Sequence, residues 1–424
     1  MFYLYSNCSF KMKSLKQFFR DFLRNKGQHI FMALLIGKIC AFLTSVFIIR
    51  LLPENEFGKI SLVASVFAVF ASSSGLGSYQ SLLRFGSIGE TADEKNAVSA
   101  YLLKKGFYYH LAVTLLFLLC SLFFVNKFED IIILFLFFGV RLVGVFFQNH
   151  IHTWLRISGN NREFARSTNI INIFGLLSVL IFTYYFGIIG YLFAMAVTPF
   201  LSLLWLRRKM VVTGCFRFQR KELWNYAFHT AGTTLLSDAL FAVDVVLLGF
   251  LMNENAVASY KVALLIPANL TFLALVCMQT DFPVLAKNFR DSAYLKNYIA
   301  NYYRIFIPVT VVIFVLIYFF RLEILNLFFA EKYTDSSLIF VVLAGAFLLN
   351  ILFRNLYGNM LSAVGRMKVN TLVSAVSVAL AIILGLILVP RYSEVGMAVA
   401  LGITMLTNGL LLMIYFFRYL RSLP

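Results

Sequence analysis

Long runs of apolar residues, interrupted only by short polar gaps, constrain this chain more than any other feature. Two of these runs, Leu111–Val125 and Val309–Phe320, are apolar on all sides, whereas an amphipathic helix of a soluble domain keeps a polar face. A helix needs about 20 such residues to cross the ~30 Å hydrocarbon layer of a bilayer. The chain is therefore predicted to be an all-α polytopic membrane protein.

Composition supports this fold class. Of the 424 residues, 61% are hydrophobic and 13% are charged, whereas soluble domains carry about 25% charged residues. The five cysteines are scattered, and neither they nor the histidines show a spacing typical of a metal site or a disulfide framework. No metal is predicted.

Twelve candidate spans can be placed on the sequence. The boundary between the fifth and sixth is weak, whereas Pro390–Glu394 clearly separates the last two. The predicted spans are 29–49, 57–79, 103–125, 131–155, 167–186, 188–206, 226–251, 257–279, 302–320, 337–361, 369–389 and 395–417.

Lys and Arg residues predict the orientation. With a cytoplasmic N-terminus, 27 of the 37 lie on the cytoplasmic side, as the positive-inside rule requires. An even number of spans then returns the C-terminus to the cytoplasm. The net charge of +18 is explained by basic loops that face an anionic leaflet, so no nucleic-acid partner is predicted.

The spans divide the chain into five regions. Ser14–Lys26 is predicted to be a basic amphipathic helix on the membrane surface, although translation from Met12 is an alternative. The predicted regions are a cytoplasmic N-terminus (1–28), an N-lobe (29–206), a basic cytoplasmic linker (207–225), a C-lobe (226–417) and a cytoplasmic tail (418–424).

The two lobes repeat one another in sequence. Glu54-Asn55 matches Glu254-Asn255 at an offset of 200, and Phe146–Asn149 matches Leu352–Asn355 at an offset of 206. At the second offset Gly159 and Gly190 also match Gly365 and Gly396. Because each repeat has six spans, both halves enter the bilayer in the same orientation. Parallel repeats of this kind indicate a transporter with its site between the lobes and alternating access.

Three motifs resemble one known family. Arg50–Gly58 looks like the "R-x-L-G-P-x-E-[FY]-G" signature of polysaccharide flippases, and Asp244–Gly249 with Val257–Tyr260 is similar to their "D-x-x-x-[LI]-G…V-G-x-Y" pattern. Gly365–Lys368 and Val389–Gly396 resemble "G-[KR]-x-[KR]…[LI]-P-[RK]-[YF]-G-x-x-G". Together they resemble the Wzx-type O-antigen and capsule flippases of the multidrug/oligosaccharidyl-lipid/polysaccharide (MOP) exporter superfamily, over residues 28–417.

The resemblance implies a MATE/MOP-like fold in the inner membrane of a bacterium. It implies a substrate, an undecaprenyl-pyrophosphate-linked oligosaccharide, which moves from the cytoplasmic to the periplasmic leaflet for O-antigen or capsule assembly. A polysaccharide polymerase and a chain-length regulator are the implied protein partners. Pro53 without a preceding glycine, Ala258 in place of glycine, and the longer Ser393–Val395 turn depart from the motifs.

Basic residues within the spans are the candidates for binding the pyrophosphate. Charged groups at bilayer depth are costly and usually face an internal cavity, and the arginine fork binds phosphate oxygens in pairs. Lys38, Arg141 and Arg354 are therefore predicted to form an anion cradle, with snorkelling to a headgroup as the alternative. Lys261, near a span end, is expected to snorkel.

The polar residues within the spans have two interpretations each. Asp238 and Asp244 could couple transport to H⁺ or Na⁺, or form structural ion pairs; no other cofactor is predicted. Four side chains are candidate sugar contacts, although helix-to-helix hydrogen bonding is the commoner use: Gln148, Asn149, Asn350 and Asn355.

Three rival functions remain. A MATE-like ion-coupled multidrug exporter would line its cleft with acids, whereas here basic residues within spans outnumber acidic ones. A lipid-linked peptidoglycan-precursor flippase typically has two further spans. An O-antigen polymerase usually has a large periplasmic loop, and the longest predicted here is only Arg321–Ser336. No phosphate-binding loop or catalytic constellation is found, so a transporter is predicted rather than an enzyme.

Overall fold

A computed structural model of the chain describes residues 27–211, 214–329 and 331–423, and every regular element in these ranges is helical. Seven helical stretches in these ranges, some of which include a short 3₁₀ or π segment, are long and apolar enough to cross a membrane, judged by length and composition. The all-α polytopic class is confirmed. The count of twelve spans and the sides of the termini stay predictions, and the Ser14–Lys26 and Met12 predictions lie outside the described residues.

Residues 27–211 contain six α-helices. A short 3₁₀ segment, Ser74–Gly77, divides the predicted second span because Gly75, Leu76 and Gly77 all have left-handed φ values, of 58°, 47° and 82°. The helices are α1 (Gly27–Leu51), α2 (Glu54–Ser72), α3 (Ser78–Ile88), α4 (Ala92–Leu119), α5 (Ile131–Ile157) and α6 (Asn161–Val197). A 3₁₀ segment, Thr198–Trp205, follows α6.

The described residues from 214 to 423 contain eight α-helices. The predicted seventh span is interrupted at Leu240–Ala242, and the predicted loop after Phe320 holds a short helix. The helices are α7 (Arg220–Ala239), α8 (Val243–Leu251), α9 (Glu254–Lys287), α10 (Ser292–Phe319), α11 (Arg321–Phe329), α12 (Ser337–Asn350), α13 (Leu356–Ala363) and α14 (Met367–Arg421). A π-helical turn, Ile351–Asn355, joins α12 to α13.

Helices α6 and α14 each fold back on themselves. In α14 the Asn408 Nδ2 donates to the Ser377 hydroxyl at 2.8 Å, although a straight helix would separate these residues by about 46 Å. The reversal is at Ser393, whose φ and ψ are 52° and −138°. Gly187 has nearly the same angles in α6, 59° and −139°. Both turns lie where the sequence predicts a break between spans.

The structure repeats at the offsets found in the sequence. Helices α2 and α9 begin 200 residues apart, at Glu54 and Glu254. Gly159 and Gly365, 206 residues apart, both have left-handed φ, of 72° and 80°, and follow the ends of α5 and α13. Only glycine adopts this conformation without strain. Together with the turns at Gly187 and Ser393, these positions confirm the parallel repeat.

At one end of the molecule the lobes are joined by basic side chains that cap helix ends of the other lobe. Carbonyls in the last turn of a helix lack intrahelical partners and carry the negative end of the dipole, so a cation there is stabilising. We call this group the outer seal, because its residues lie in loops that are predicted to be extracytoplasmic. Its contacts are Arg50 with the carbonyls of Leu327 and Phe328, Lys332 Nζ with the Leu52 carbonyl at 3.1 Å, and Lys127 Nζ with the Phe250 carbonyl at 2.7 Å.

Close backbone approach reinforces the outer seal. Gly58 of α2 lies against the Glu254 carbonyl of α9, so a Cβ at this position would overlap it. The Ser259 hydroxyl donates to the Glu54 carboxylate at 3.0 Å. Burial at the seal lowers the pKa of the Lys127 ammonium, and the charge of Glu254 opposes this shift. The two lobes therefore pack tightly at the predicted extracytoplasmic end.

Candidate functional site

One cavity lies inside the N-lobe, between α1, α5 and α6, with a volume of ≈ 360 Å³. This size is within the range typical of small-molecule sites. Apolar residues form much of its wall, and α1, α5 and α6 place polar groups in it. The polar lining residues are Thr44, Ser45, Arg141, Gln148, Asn172, Tyr191 and Thr198.

Arg141 is the cation of the N-lobe cavity. Its guanidinium carbon lies 5.0 Å from the ring centre of Phe67 and 5.9 Å from that of Phe138. One nitrogen donates a weak hydrogen bond to Met195 Sδ at 3.6 Å, and the buried Nε has no hydrogen-bond partner. Aromatic faces thus hold the guanidinium while its hydrogen-bonding capacity remains largely unused.

A second cavity, of ≈ 370 Å³, lies in the C-lobe. Its wall comes from α7, α9, α14 and the α12–π–α13 segment, so a cavity with a polar lining occurs in each half of the repeat. Its wall is rich in amides and hydroxyls. The polar lining residues are Thr233, Thr271, Asn350, Arg354, Asn355, Asn359, Ser362, Asn370, Thr371 and Ser374.

Arg354, the cation of the C-lobe cavity, lies on the π-helical turn. Its guanidinium carbon is 4.6 Å from the ring centre of Phe241, which the interruption between α7 and α8 supplies. Asp238, at the end of α7, interacts electrostatically with Arg354 and lies near the Ser72 side chain of the N-lobe. Asp238 therefore lies at the junction of the two lobes.

Neither cavity has a carboxylate among its described lining residues. Each therefore offers a positive charge and several polar side chains, which suits an anionic, hydrogen-bonding ligand. The family model described as "Polysaccharide biosynthesis protein" matches residues 23–289, more than half of the chain. The chain belongs to this family.

One curated relative is also named for glycan biosynthesis. A "probable low-salt glycan biosynthesis flippase", Agl15 of Haloferax volcanii, is 23% identical over 193 residues. The match covers 45% of this chain and 41% of that protein, so the chain spans less than half the length of the relative it matches.

Solved structures place this member of the polysaccharide biosynthesis family in the fold of the MOP superfamily. An inward-facing multidrug MATE transporter is similar with a TM-score of 0.71 and 16% identity, over 91% of this chain and 95% of that one. The lipid II flippase MurJ, in an inward closed conformation, has a TM-score of 0.73 and 17% identity, over 92% and 89%. At these identities the likeness shows the fold.

Only some of the predicted anion-binding and sugar-binding residues line the two cavities. Arg141 and Gln148 line the N-lobe cavity, and Asn350, Arg354 and Asn355 line the C-lobe cavity. Two further residues lie outside both sets of lining residues. The Lys38 side chain is exposed, and Asn149 is half-buried with its carbonyl accepting a hydrogen bond from Thr153.

The two intramembrane acids have different surroundings. Asp244 is 1% exposed; it accepts hydrogen bonds from the Tyr260 hydroxyl at 2.9 Å and the Val245 amide at 2.8 Å, and interacts electrostatically with Lys261. These contacts fit a structural pair. Asp238 is exposed, and it lies before the interruption that separates α7 from α8, whereas Asp244 lies after it.

Sequence reasoning missed several cavity residues. Asn359 and Asn370 of the C-lobe, and Asn172 and Tyr191 of the N-lobe, line the cavities without having been predicted to do so. Asn359 follows Asn355 by four residues, which places both on one helix face and is a readable signal. The positions of the other three depend on how α6 and α14 pack against neighbouring helices, which local sequence does not specify.

The intramembrane histidines bond to serine side chains. His150 Nε2 lies 2.9 Å from the Ser99 hydroxyl, and His152 Nε2 lies 3.1 Å from that of Ser167. Within the described residues, no group of three or more His, Cys, Asp or Glu side chains could hold a metal ion.

Proposed function

We propose that this protein is a flippase that moves an undecaprenyl-pyrophosphate-linked oligosaccharide from the cytoplasmic to the periplasmic leaflet of a bacterial inner membrane. The glycan would enter O-antigen or capsule assembly, and a polymerase and a chain-length regulator would act on it afterwards. The lobes alternate access around the substrate while the prenyl chain stays in lipid.

The observation that carries this proposal is that each cavity holds an arginine and has no carboxylate among its described lining residues. A buried cation without a carboxylate partner, such as Arg141, is costly, and an anionic ligand would offset that cost. Arg354 interacts with Asp238, which lies outside the lining residues. The planar guanidinium can bind two phosphate oxygens at once. An exporter of organic cations needs the opposite charge, so the lining favours an anionic cargo over the multidrug alternative.

The repeat also separates the two arginines in depth. At the offset of 206, Arg354 corresponds to Gln148 and Arg141 corresponds to Phe347. The cations thus occupy equivalent helices seven residues apart, about 10 Å along the axis. Arg354 lies nearer the predicted cytoplasmic end and is proposed to bind the pyrophosphate first. Arg141 lies deeper toward the outer seal and is proposed to receive the pyrophosphate as the lobes move.

Asp238 is the proposed coupling residue. It is exposed at the lobe junction and interacts with both Ser72 of the N-lobe and Arg354 of the C-lobe. Binding of H⁺ or Na⁺ there would change the charge beside Arg354 as the lobes rearrange. Asp244, which is fully engaged with Tyr260 and Val245, is assigned to structure.

The test is deletion in the native host followed by complementation at matched expression. Surface polysaccharide and intracellular lipid-linked oligosaccharide are measured together. We expect deletion to abolish surface polymer and to accumulate the precursor, with restoration by wild type and not by Arg141→Ala. Arg391→Ala, which removes an exposed charge outside both cavities, is the control. Intact polymer with altered drug tolerance would instead support the multidrug exporter.

A further inference from the structure

We propose that the asparagine-lined part of the C-lobe cavity, beside Arg354, is the subsite for an uncharged, hydroxyl-bearing sugar of the transported glycolipid, and that these asparagines select this sugar. The inference rests on the proposed function and adds the residues that would determine specificity. Four asparagines line this cavity, Asn350, Asn355, Asn359 and Asn370, whereas the only amides lining the N-lobe cavity, within its described residues, are Gln148 and Asn172.

Three of these asparagines have a buried polar atom without a hydrogen-bond partner. The atoms are Asn350 Oδ1, Asn355 Nδ2 and Asn370 Oδ1. Asn350 and Asn355 are 1% and 7% exposed. Buried polar groups are almost always hydrogen-bonded, and each exception calls for a physical explanation. A ligand that supplies the missing donors and acceptors provides one.

Backbone carbonyls hold two of the amides in a defined orientation. Asn370 Nδ2 donates to the Gly358 carbonyl and to the Ser362 hydroxyl, both at 2.8 Å. Asn359 Nδ2 donates to the Asn355 carbonyl at 2.7 Å. A carbonyl only accepts hydrogen bonds, so the nitrogen of each amide must face it. The amide oxygen is then left as an acceptor at a fixed position.

The π-helical turn gathers these side chains. In an uninterrupted α-helix Asn350 and Asn355 would point about 140° apart. A π turn, in which residue i bonds to residue i+5, brings them toward the same side, and such turns are frequent at functional sites. Tyr302 stabilises the turn because its hydroxyl donates to the Ile351 carbonyl at 2.9 Å. Tyr302 thus stabilises the π turn, and the turn brings Asn350 and Asn355 toward the same side of the cavity.

The mixture of groups matches a sugar better than a second phosphate. A phosphate only accepts hydrogen bonds from its surroundings, so acceptor oxygens such as Asn350 Oδ1 and Asn370 Oδ1 would repel it. A sugar hydroxyl donates and accepts, and an N-acetyl group carries one donor and one acceptor. Sites that hydrogen-bond a substrate hydroxyl strongly reject analogues that lack it, since the buried protein groups are then left unpaired.

The test compares two lipids on the full-length protein in lipid nanodiscs. One is undecaprenyl pyrophosphate without sugar, and the other is the glycolipid that accumulates in the deletion strain. We expect Asn355→Ala with Asn370→Ala to weaken binding of the glycolipid roughly tenfold or more, the loss expected for one or two hydrogen bonds. Binding of the sugarless lipid should stay within about twofold of wild type. Arg354→Ala should weaken both lipids.

Matched single variants keep the inference testable if the double variant does not fold. Asn359 and Asn269 each donate to a backbone carbonyl four residues earlier in the chain, at 2.7 and 2.8 Å, but Asn269 does not line the cavity. Asn359→Ala should weaken only the glycolipid, and Asn269→Ala should weaken neither lipid. Equal weakening of both lipids by the asparagine variants, or no weakening, would overturn the sugar subsite. Failure of wild type to bind either lipid would instead overturn the proposed function.

Discussion

The N-lobe and C-lobe cavities are built by equivalent helices of one repeat, yet their linings differ. In the N-lobe, Arg141 lies near the rings of Phe67 and Phe138, with an unpaired Nε. In the C-lobe, Arg354 lies on a π turn beside Phe241, among four asparagines. The two halves of the repeat thus share one helix arrangement, whereas the side chains that line their cavities differ. Charge is common to both cavities, whereas amide groups are concentrated in one.

The largest effect is expected from removing both cations. Arg141→Ala with Arg354→Ala should abolish surface polymer, because neither cavity could then bind the pyrophosphate. Each single variant should lower transport at least roughly tenfold, since a charged hydrogen bond contributes more than a neutral one. Arg141→Lys should retain part of the activity, because lysine keeps the charge and loses the fork. Precursor accumulation at matched expression measures all four, and equal activity of the double variant and Arg391→Ala would contradict the comparison.

Moving the N-lobe charge sharpens the comparison. Arg141→Ala combined with Gln148→Arg places that charge at the repeat position that Arg354 occupies in the C-lobe. If the difference in depth matters, this variant should transport several-fold less than wild type although it keeps both cations. The rate of glycolipid translocation is the measurement. Full restoration by Gln148→Arg would show that depth is unimportant.

The outer seal tests whether both cavities share one access route. Cysteines are introduced at Thr44 and Ser374, one in each cavity lining, in a variant without native cysteines. With the seal closed, a membrane-impermeant maleimide added outside should label both slowly. Arg50→Ala should increase both rates severalfold, because it removes the cap on the carbonyls of Leu327 and Phe328. An increase at only one site would mean that the lobes open independently.

The smallest effect is expected away from the cavities. Tyr260→Phe removes the hydroxyl that donates to Asp244 at 2.9 Å in the buried core. This should cost about 1–3 kcal/mol, the price of leaving a buried acceptor without that partner. We expect a thermal midpoint a few degrees lower with near-normal transport. A transport defect for Tyr260→Phe at normal abundance would contradict the structural role of Asp244.

Asp238→Asn should show the reverse pattern: the thermal midpoint should stay the same and the transport rate should fall.

Much of the fold could be predicted from the sequence because its signals are local. Apolar run length identifies the membrane class, and Gly159 and Gly365 mark equivalent helix ends at the offset of 206. The predicted breaks at Gly187 and Pro390–Glu394 match the reversals in α6 and α14. The break at Ser74–Gly77 was missed. Its signal is the cluster Ser72–Ser78, which contains two glycines, within an apolar run.

The candidate site was predicted less completely than the fold. Arg141 and Arg354 could be identified because a charge within an apolar span is rare. The Lys38 prediction used the same rule, but depth along a helix does not specify which face a side chain occupies, and Lys38 is exposed. Asn370 contributes to the C-lobe cavity only because α14 packs beside α13, and that contact is tertiary.

Translocation by the purified protein tests the central claim most directly. Wild type and the Arg141→Ala, Arg354→Ala double variant are reconstituted into liposomes that contain the isolated lipid-linked oligosaccharide in both leaflets. A membrane-impermeant reagent that oxidises sugars is then added outside. The account predicts that wild type exposes essentially all of the glycan over time, whereas the double variant exposes only the fraction in the outer leaflet. Protection of the inner-leaflet glycan with wild type, or its full exposure with the double variant, would contradict the account.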